Sequence, residues 1–400
     1  MRGISVAQTA TAYTNFDFDL NEINQCLLDI SDKKRSNLFA WNGQFSPQFV
    51  ETLIDNYAAK GFTVADPFLG SGTVLYECAR KGLSASGVEL NPSAYYMAKI
   101  YEYCNLRSSE RYTIIQELDA LINIICNEKD SLTALCNTVD QTQDERIKNT
   151  LSLIIVLLDL FNNHFSTDLL MNKWDKVKTI LIELPESTGA ISAFLADARS
   201  LPMASDSIDL IITSPPYINV FNYHQKYRKS VETLGYDVLK IAKKEIGSNR
   251  KNRGNRLLTV IQYCIDMAFS MQEMSRICKP EARIILVVGK ESNVLSTSFC
   301  NSQLIYDIAN GIFGLPLILK QQRVFKNRYG QNIYEDILHF KNSHEISDKL
   351  SAISIREKSR QIAVDTLNSK IDAGIVSQDL LPQFQSAIDR AGNIFESEGL

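Results

Sequence analysis

The chain reads as an α/β protein built on an open, mainly parallel sheet, with a helical insertion and a helical C-terminal tail. Three observations lead there. Short apolar strands alternate with helix-period segments from about residue 46; a block from about 101 to 188 then carries long helix-period runs with almost no Gly or Pro; and the alternation resumes until about 342.

The totals agree with this reading. Of 400 residues, 45% are hydrophobic, 22% charged, 18 are Gly and 10 Pro, the balance of an ordinary globular chain large enough for a sizeable core. The opening twenty residues lack an apolar leader stretch and no segment has the ~18 uninterrupted apolar residues of a membrane span, so no membrane partner and a cytoplasmic location are expected. Eight scattered cysteines form no CxxC and stand beside no histidine at ligand spacing, so reduced thiols and no metal site are expected.

Each element has its own signal. SPQFVETLIDNYAAKG predicts a helix with Ser46 as N-cap and Pro47 in the first turn; FTVAD predicts a strand; PFLGSG a Gly-rich turn; TVLYECARKG a helix; SASGVEL a second strand; and NPSAYYMAKIYEY another helix. Gly61 and Gly82 mark helix ends. After the insertion, AISAFLAD, IDLIIT, ARIILVVG and YEDILHF predict strands, with a helix over LLTVIQYCIDMAFSMQEMSRI. The units expected are an N-terminal segment 1–40, an α/β domain formed by 41–100 and 190–342, the insertion 101–189 and the tail 343–400.

Three of these strands end in polar turns. The first runs into Asp66-Pro67-Phe68-Leu69-Gly70-Ser71-Gly72-Thr73, where glycines permit a sharp turn and close ligand approach while a helix N-terminus offers free N–H groups. Position 75 is leucine and no Gly-Lys-Ser/Thr follows, so neither a dinucleotide fingerprint nor a P-loop is present and phosphate is not the favoured guest. Glu89, at the end of the second strand and before Leu90 and Asn91, is placed to accept ribose hydroxyls; Asp197, before Ala198, supplies another carboxylate at the same sheet edge, suited to an adenine amine. A nucleoside without a required pyrophosphate fits, and S-adenosylmethionine is such a molecule.

DPFLGSGT, VELNP, ADARSLP and TSPPY, in that order, resemble motifs I to IV of the amino-group DNA methyltransferases, which make N4-methylcytosine or N6-methyladenine. FSPQFVETLIDNY resembles their motif X, which brings Phe45 and Ser46 to the cofactor, and CKPEARIILVVG a later strand of the same fold. The resemblance covers roughly 41–100 and 190–342, and implies a Rossmann-like class I methyltransferase sheet with Asp66, Pro67, Phe68, Gly70, Ser71, Gly72, Thr73, Glu89, Leu90, Asn91, Asp197 and Ala198 around S-adenosylmethionine.

TSPPY leaves a buried strand through two prolines. Each proline fixes its own φ and pushes the residue before it toward an extended conformation, so Ser214 and Pro215 are set before any substrate arrives. Carried over from the family, the Ser214 side chain and the Pro215 carbonyl accept from the target amine, Pro216 stiffens the loop, and Tyr217 stacks on a flipped base. No Pro-Cys nucleophile is present, as none is needed for an exocyclic amine. Serine in the first position resembles the N4-cytosine enzymes, with adenine N6 the alternative; the order of motifs, cofactor turn first, is not the permuted order that many N4-cytosine enzymes use. An RNA amino-group methyltransferase and a catalytically silent cofactor-binding subunit are the remaining alternatives.

Net charge is −4, so a nucleic-acid partner must be met locally. Between Asn222 and Arg256 ten basic residues face three acidic ones. Tyr223, His224, Lys226, Arg228 and Lys229, with Arg250, Lys251, Arg253 and Arg256, are expected to contact the phosphates of double-stranded DNA; the competing reading is a solvated basic surface. A cognate restriction endonuclease or defence-system subunit is a conceivable partner, and the oligomeric state is not encoded legibly.

Overall fold

The computed structural model describes residues 13, 16–19, 21–218, 223–248, 252, 254–327, 330–343 and 350–397. Nine strands form a seven-stranded sheet and a separate hairpin: β1 Thr63–Asp66, β2 Ser84–Glu89, β3 Ile191–Leu195, β4 Ile208–Thr213, β5 Cys278–Gly289, β6 Glu291–Val294, β7 Thr297–Cys300, β8 Leu317–Lys326 and β9 Asn332–Lys341. The sheet runs β3-β2-β1-β4-β5-β9-β8, and β6 pairs with β7. Strands β1 to β5 are parallel; β9 is antiparallel to both β5 and β8. This is the Rossmann-like class I methyltransferase sheet, and the point where strand order reverses lies between β1 and β4.

Alternation along the central strands decides what covers each face. Val64, Leu210, Ile212, Ile285 and Val287 join one core, and Ala65, Ile211, Ile284, Leu286 and Val288 the other. Because both faces are buried, these strands appear in sequence as continuous apolar runs. On the first face pack α2 Pro47–Tyr57, α3 Thr73–Arg80 and α4 Pro92–Lys99, together with the insertion helices α5 Ser108–Asn127, α6 Ser131–Gln141, α7 Glu145–Leu158 and α8 Thr167–Glu183. Their apolar sides share that core. On the second face pack α11 Leu258–Ile277, α12 Asn301–Phe313, and the tail helices α13 Ala352–Asp372 and α14 Leu381–Asp389. A short α1, Gln25–Asp29, precedes them all, and α9 Arg228–Thr233 and α10 Val238–Lys244 follow the TSPPY loop.

Several local expectations need correction. Ser46 stands at the N-cap of α2, but its side chain makes no capping bond and its hydroxyl is buried without a partner; Pro47 alone sets the start. The helix expected over 91–103 changes at Ile100 into a 3-10 turn ending at Asn105. The edge strand β8 and the β6–β7 hairpin carry no clear sequence signal: β8 buries Lys320, Gln321 and Arg323, which break any apolar alternation.

Candidate active site

The ends of β1, β2, β3 and β4 open onto one cleft. Phe45, Asp66, Pro67, Phe68, Gly70, Thr73, Glu89, Leu90, Asn91, Asp197, Ala198, Ser214 and Pro216 line it. Residues from five separate sequence motifs therefore share one surface, at the carboxyl edge where open α/β sheets bind ligands.

Hydrogen bonds fix the floor. Thr213 Oγ1 donates to Asp66 Oδ1 at 2.6 Å, tying the end of β4 to the end of β1, and the Phe68 amide donates to the same carboxylate oxygen at 3.1 Å. Glu89 is held by two backbone amides: Gly70 N–H reaches Oε2 at 2.8 Å and Asn91 N–H reaches Oε1 at 2.7 Å. Each oxygen retains a lone pair for a ligand donor. Asp197 accepts from the Arg199 amide and side chain, with Arg199 Nη2 to Oδ2 at 2.5 Å, and Arg199 Nη1 continues to Asp266 at 2.6 Å. The Asp197 carboxylate lies in the wall of the cleft and is already paired.

The two glycines of the turn do different work. Gly70, at φ +54°, lines the cleft, and a Cβ there would stand 3.4 Å from the Trp41 ring. Gly72, at φ +88°, faces away: its missing Cβ leaves room for Tyr101 and Ala98. Ser71 also leaves the wall, its hydroxyl donating to Gln44 Oε1 at 2.6 Å, and Thr73 Oγ1 donates to Asn37 Oδ1 at 2.9 Å. Neither Ser46, Ser71 nor Gly72 lines the cleft.

The TSPPY loop is pinned at both ends. Thr213 anchors the start, as above; Tyr217 donates its hydroxyl to Glu335 Oε1 at 3.1 Å, and Arg323 Nε holds Glu335 Oε2 at 2.7 Å. Gly247 and Gly289 make room for it, since a Cβ on the former would meet the Tyr217 carbonyl oxygen at 2.7 Å and one on the latter the Tyr217 ring at 2.8 Å. Pro215 is buried, while Ser214, Pro216 and Tyr217 remain partly exposed. Burial, with Glu335 alongside, pushes the Tyr217 phenol well above its usual value, so it stays a donor at neutral pH.

The residues expected on DNA divide differently. His224 is 2% exposed, its Nδ1 3.0 Å from Glu245 Oε2, which excludes it from a duplex surface. Tyr223 lines the cleft and stacks on Trp41 at 6.1 Å, 17° from parallel. Lys226 donates to the Ala40 carbonyl at 2.6 Å and lies 5.4 Å from the Trp41 ring centroid. Burial outweighs a nearby carboxylate and lowers the Lys226 pKa. Arg228 pairs with Glu232 at 2.8 Å, whereas Lys229 and Arg256 are exposed, as are Lys240 and Lys243. Arg250, Lys251 and Arg253 lie outside the described residues. Of the interleaved aromatic and basic residues Tyr223 alone lines the cleft, together with Trp41, Asn42, Gly43, Gln44, Lys244, Glu245 and Ile246, none of which the motifs single out. A basic-aromatic run looks alike in sequence whether it meets phosphate or an aromatic partner 180 residues away.

Comparison with known proteins finds DNA methyltransferases. A DNA methylase family model of the N6/N4 type matches residues 20–100, the span holding Trp41, the glycine turn and Glu89. The type II methyltransferase M.MjaII of Methanocaldococcus jannaschii is 21% identical across 76% of this chain and 81% of its own length. Over these spans the chain is similar to DNA methyltransferases. M.BsoBI of Geobacillus stearothermophilus, another type II methyltransferase, is 22% identical over 57% of this chain and 59% of that protein. Among solved structures, a SAM-dependent methyltransferase from Methanosarcina mazei covers 73% of this chain and 98% of its own at 12% identity, with a TM-score of 0.35.

The cleft fits S-adenosylmethionine, the cofactor that the sequence motifs imply. Glu89 offers oriented acceptors for hydroxyls, Trp41, Phe45, Phe68 and Leu90 offer apolar and aromatic surface, and among the described residues Lys244 is the one lysine or arginine that lines the space. Among the described residues, no group of three or more His, Cys, Asp or Glu could hold a metal ion, and no helix is long and apolar enough to cross a membrane.

The acidic floor is expected to make cofactor binding dependent on pH. Burial pushes Asp66 from 3.8 to about 7, against the pull of Thr213 and Phe68; it pushes Glu89 from 4.5 to about 7, against its two backbone amides and with help from the charge of Glu245. Carboxyls raised on folding stabilise the free protein fully below their ordinary values and cease to do so as pH rises through 7. Hydroxyl donors favour the ionised form of Glu89. Affinity for S-adenosylhomocysteine is therefore expected to fall several-fold between about pH 7.5 and about pH 5.5, with proton release on binding near neutrality. Calorimetry in buffers of different ionisation enthalpy measures both, and Glu89→Gln should flatten the dependence. A flat profile in the wild-type protein would contradict the assignment.

Proposed function

We propose that this chain transfers the methyl group of S-adenosylmethionine to an exocyclic amino group of a base in double-stranded DNA, with N4 of cytosine the preferred target. The observation that carries this reading is the placement of Ser214 and Pro216 in the wall of the cofactor cleft, at the switch point between β1 and β4. The bound cofactor supplies an electrophilic methyl group on a sulfonium.

An exocyclic amine is a weak nucleophile because its lone pair is delocalised into the ring. Acceptors bonded to its N–H groups return that density to nitrogen and fix its direction. Ser214 Oγ and the Pro215 carbonyl serve as those acceptors, rigid because each precedes a proline and because both ends of the loop are tied. Catalysis then rests on orientation and on electrostatics set in advance, with no covalent enzyme intermediate. Reaching the amine requires the base to leave the duplex, at a cost of a few kcal/mol that stacking on Tyr217 partly offsets. Lys229, Lys240 and Lys243, exposed in the segment that follows that loop, are the cations we assign to the phosphates.

Serine at 214 supports cytosine over adenine. The test is digestion of a plasmid treated with enzyme and labelled cofactor, followed by mass spectrometry of its nucleosides. N4-methylcytosine is the expected product. N6-methyladenine would overturn the choice of base, and label found in RNA but not in duplex DNA would overturn the substrate.

A further inference from the structure

The segment that follows α10 brings to the cleft a carboxylate that the protein satisfies on one side alone. Glu245 lines the cleft between Lys244 and Ile246 and is 8% exposed. Its Oε2 meets His224 Nδ1 at 3.0 Å, while Oε1 is buried with no hydrogen-bond partner. The tautomer follows from the other ring nitrogen: His224 Nε2 lies 2.9 Å from the Gln225 amide nitrogen, a donor, so the proton sits on Nδ1 and points at Glu245. His224 thereby aims the carboxylate and leaves one oxygen for something else. A buried carboxylate oxygen without a donor carries its full desolvation penalty.

Two observations locate Glu245 along the cleft. It lines the same cleft as Glu89 and Tyr223, and its charge acts on both, so it stands toward the end of β2. Next to it, the Lys244 carbonyl accepts from Arg199 Nη2 at 3.4 Å, and Arg199 holds Asp197 just beyond β3. These strands lie on the far side of β1 from Ser214. A cofactor whose methyl group faces Ser214 extends its nucleoside toward β2 and β3.

We propose that Glu245 is a second cofactor-binding carboxylate, its Oε1 accepting an N–H or O–H from the adenosine half of S-adenosylmethionine, with His224 as the positioning residue. This deepens the methyltransferase reading and rests on it. It also gives the acidic pair a reason to exist: a donor placed at Glu89 and Glu245 relieves a repulsion that the free protein bears. The ribose hydroxyls and the adenine amine share the required chemistry.

The test is calorimetry of S-adenosylhomocysteine binding to the full chain. Glu245→Ala is expected to weaken binding about 10- to 100-fold, as loss of a charge-assisted hydrogen bond does, and Glu245→Gln, which keeps an acceptor, to weaken it less. The 2′-deoxy and 3′-deoxy analogues and S-inosylhomocysteine separate ribose from amine: one of them should bind the wild type more weakly, yet lose little further affinity in Glu245→Ala. Thermal unfolding without ligand checks that the variants fold, and His224→Gln should reproduce part of the loss. Binding by Glu245→Ala that equals the wild type, or an undiminished penalty for all three analogues in that variant, overturns the assignment and leaves the methyltransferase reading standing. Wild-type protein that binds no S-adenosylhomocysteine overturns both.

Discussion

Tyr217→Ala is expected to lower methyl transfer to duplex DNA about 5- to 150-fold, the equivalent of the ~1–3 kcal/mol that one base–aromatic stack contributes, while the affinity for S-adenosylhomocysteine changes little. The separation follows from geometry. Ser214 and Pro216 line the cofactor cleft and Tyr217 does not. Its ring lies against Gly289, its carbonyl against Gly247, and its hydroxyl on Glu335, so it is attached to the β5 and β9 side of the loop. Such attachment has an energetic purpose: a ring already fixed loses no rotamer freedom when a base arrives. Tyr217→Phe tests that purpose. The phenylalanine keeps the stacking face but leaves Glu335 Oε1 without its donor, beside an Arg323–Glu335 pair whose side chains are 8% and 11% exposed. A loss of about 3- to 10-fold in turnover is expected, matching one hydrogen bond of ~0.5–1.5 kcal/mol. Single-turnover rates with cofactor saturating measure both variants. If Tyr217→Ala transfers methyl groups at the wild-type rate, Tyr217 has no part in holding the base.

How far the sequence carries this account depends on the range of the interactions involved. The central parallel strands β4 and β5 were legible because burial on both faces gives them apolar runs, and IDLIIT is β4 residue for residue. The cofactor turn and Glu89 were legible because the features that matter, a glycine turn and a carboxylate one strand later, are close in sequence. Contacts between distant residues were not. Lys226 looks like a phosphate ligand until Trp41 and the Ala40 carbonyl are brought beside it, and His224 until Glu245 buries it. β8 is hidden for a related reason: Lys320 and Arg323 are core residues there because Tyr13, Phe49 and Glu335 receive them. Burial of a charge is a property of its partners, and a linear pattern does not display them.

The same distinction separates the two glycines of the cofactor turn, and Gly72→Ala is expected to cost the folded protein about 2–4 kcal/mol. Two terms add. Gly72 has φ +88° and ψ 25° at the N-cap of α3, a left-handed conformation that costs a residue with a side chain about 1 kcal/mol or more. A Cβ at this position would then stand 2.7 and 2.8 Å from two Tyr101 ring carbons and 2.9 Å from the Ala98 Cβ. Those neighbours have little room to move: Tyr101 is 3% exposed and packs 5.3 Å from Tyr76 and 6.4 Å from Phe39, and Ala98 is 0% exposed. Overpacking of this kind adds about 1–3 kcal/mol. Gly70→Ala should behave in the opposite way. Its φ of +54° is less costly, its nearest neighbour is the Trp41 ring at 3.4 Å, and the added methyl group lines the cleft. Denaturant midpoints should therefore drop clearly for Gly72→Ala and little for Gly70→Ala, whereas S-adenosylhomocysteine affinity should fall in Gly70→Ala even where the protein is fully folded. Equal midpoints for the two variants would show that the α3–Tyr101 contact yields more easily than its packing implies, and would remove the structural role assigned to Gly72.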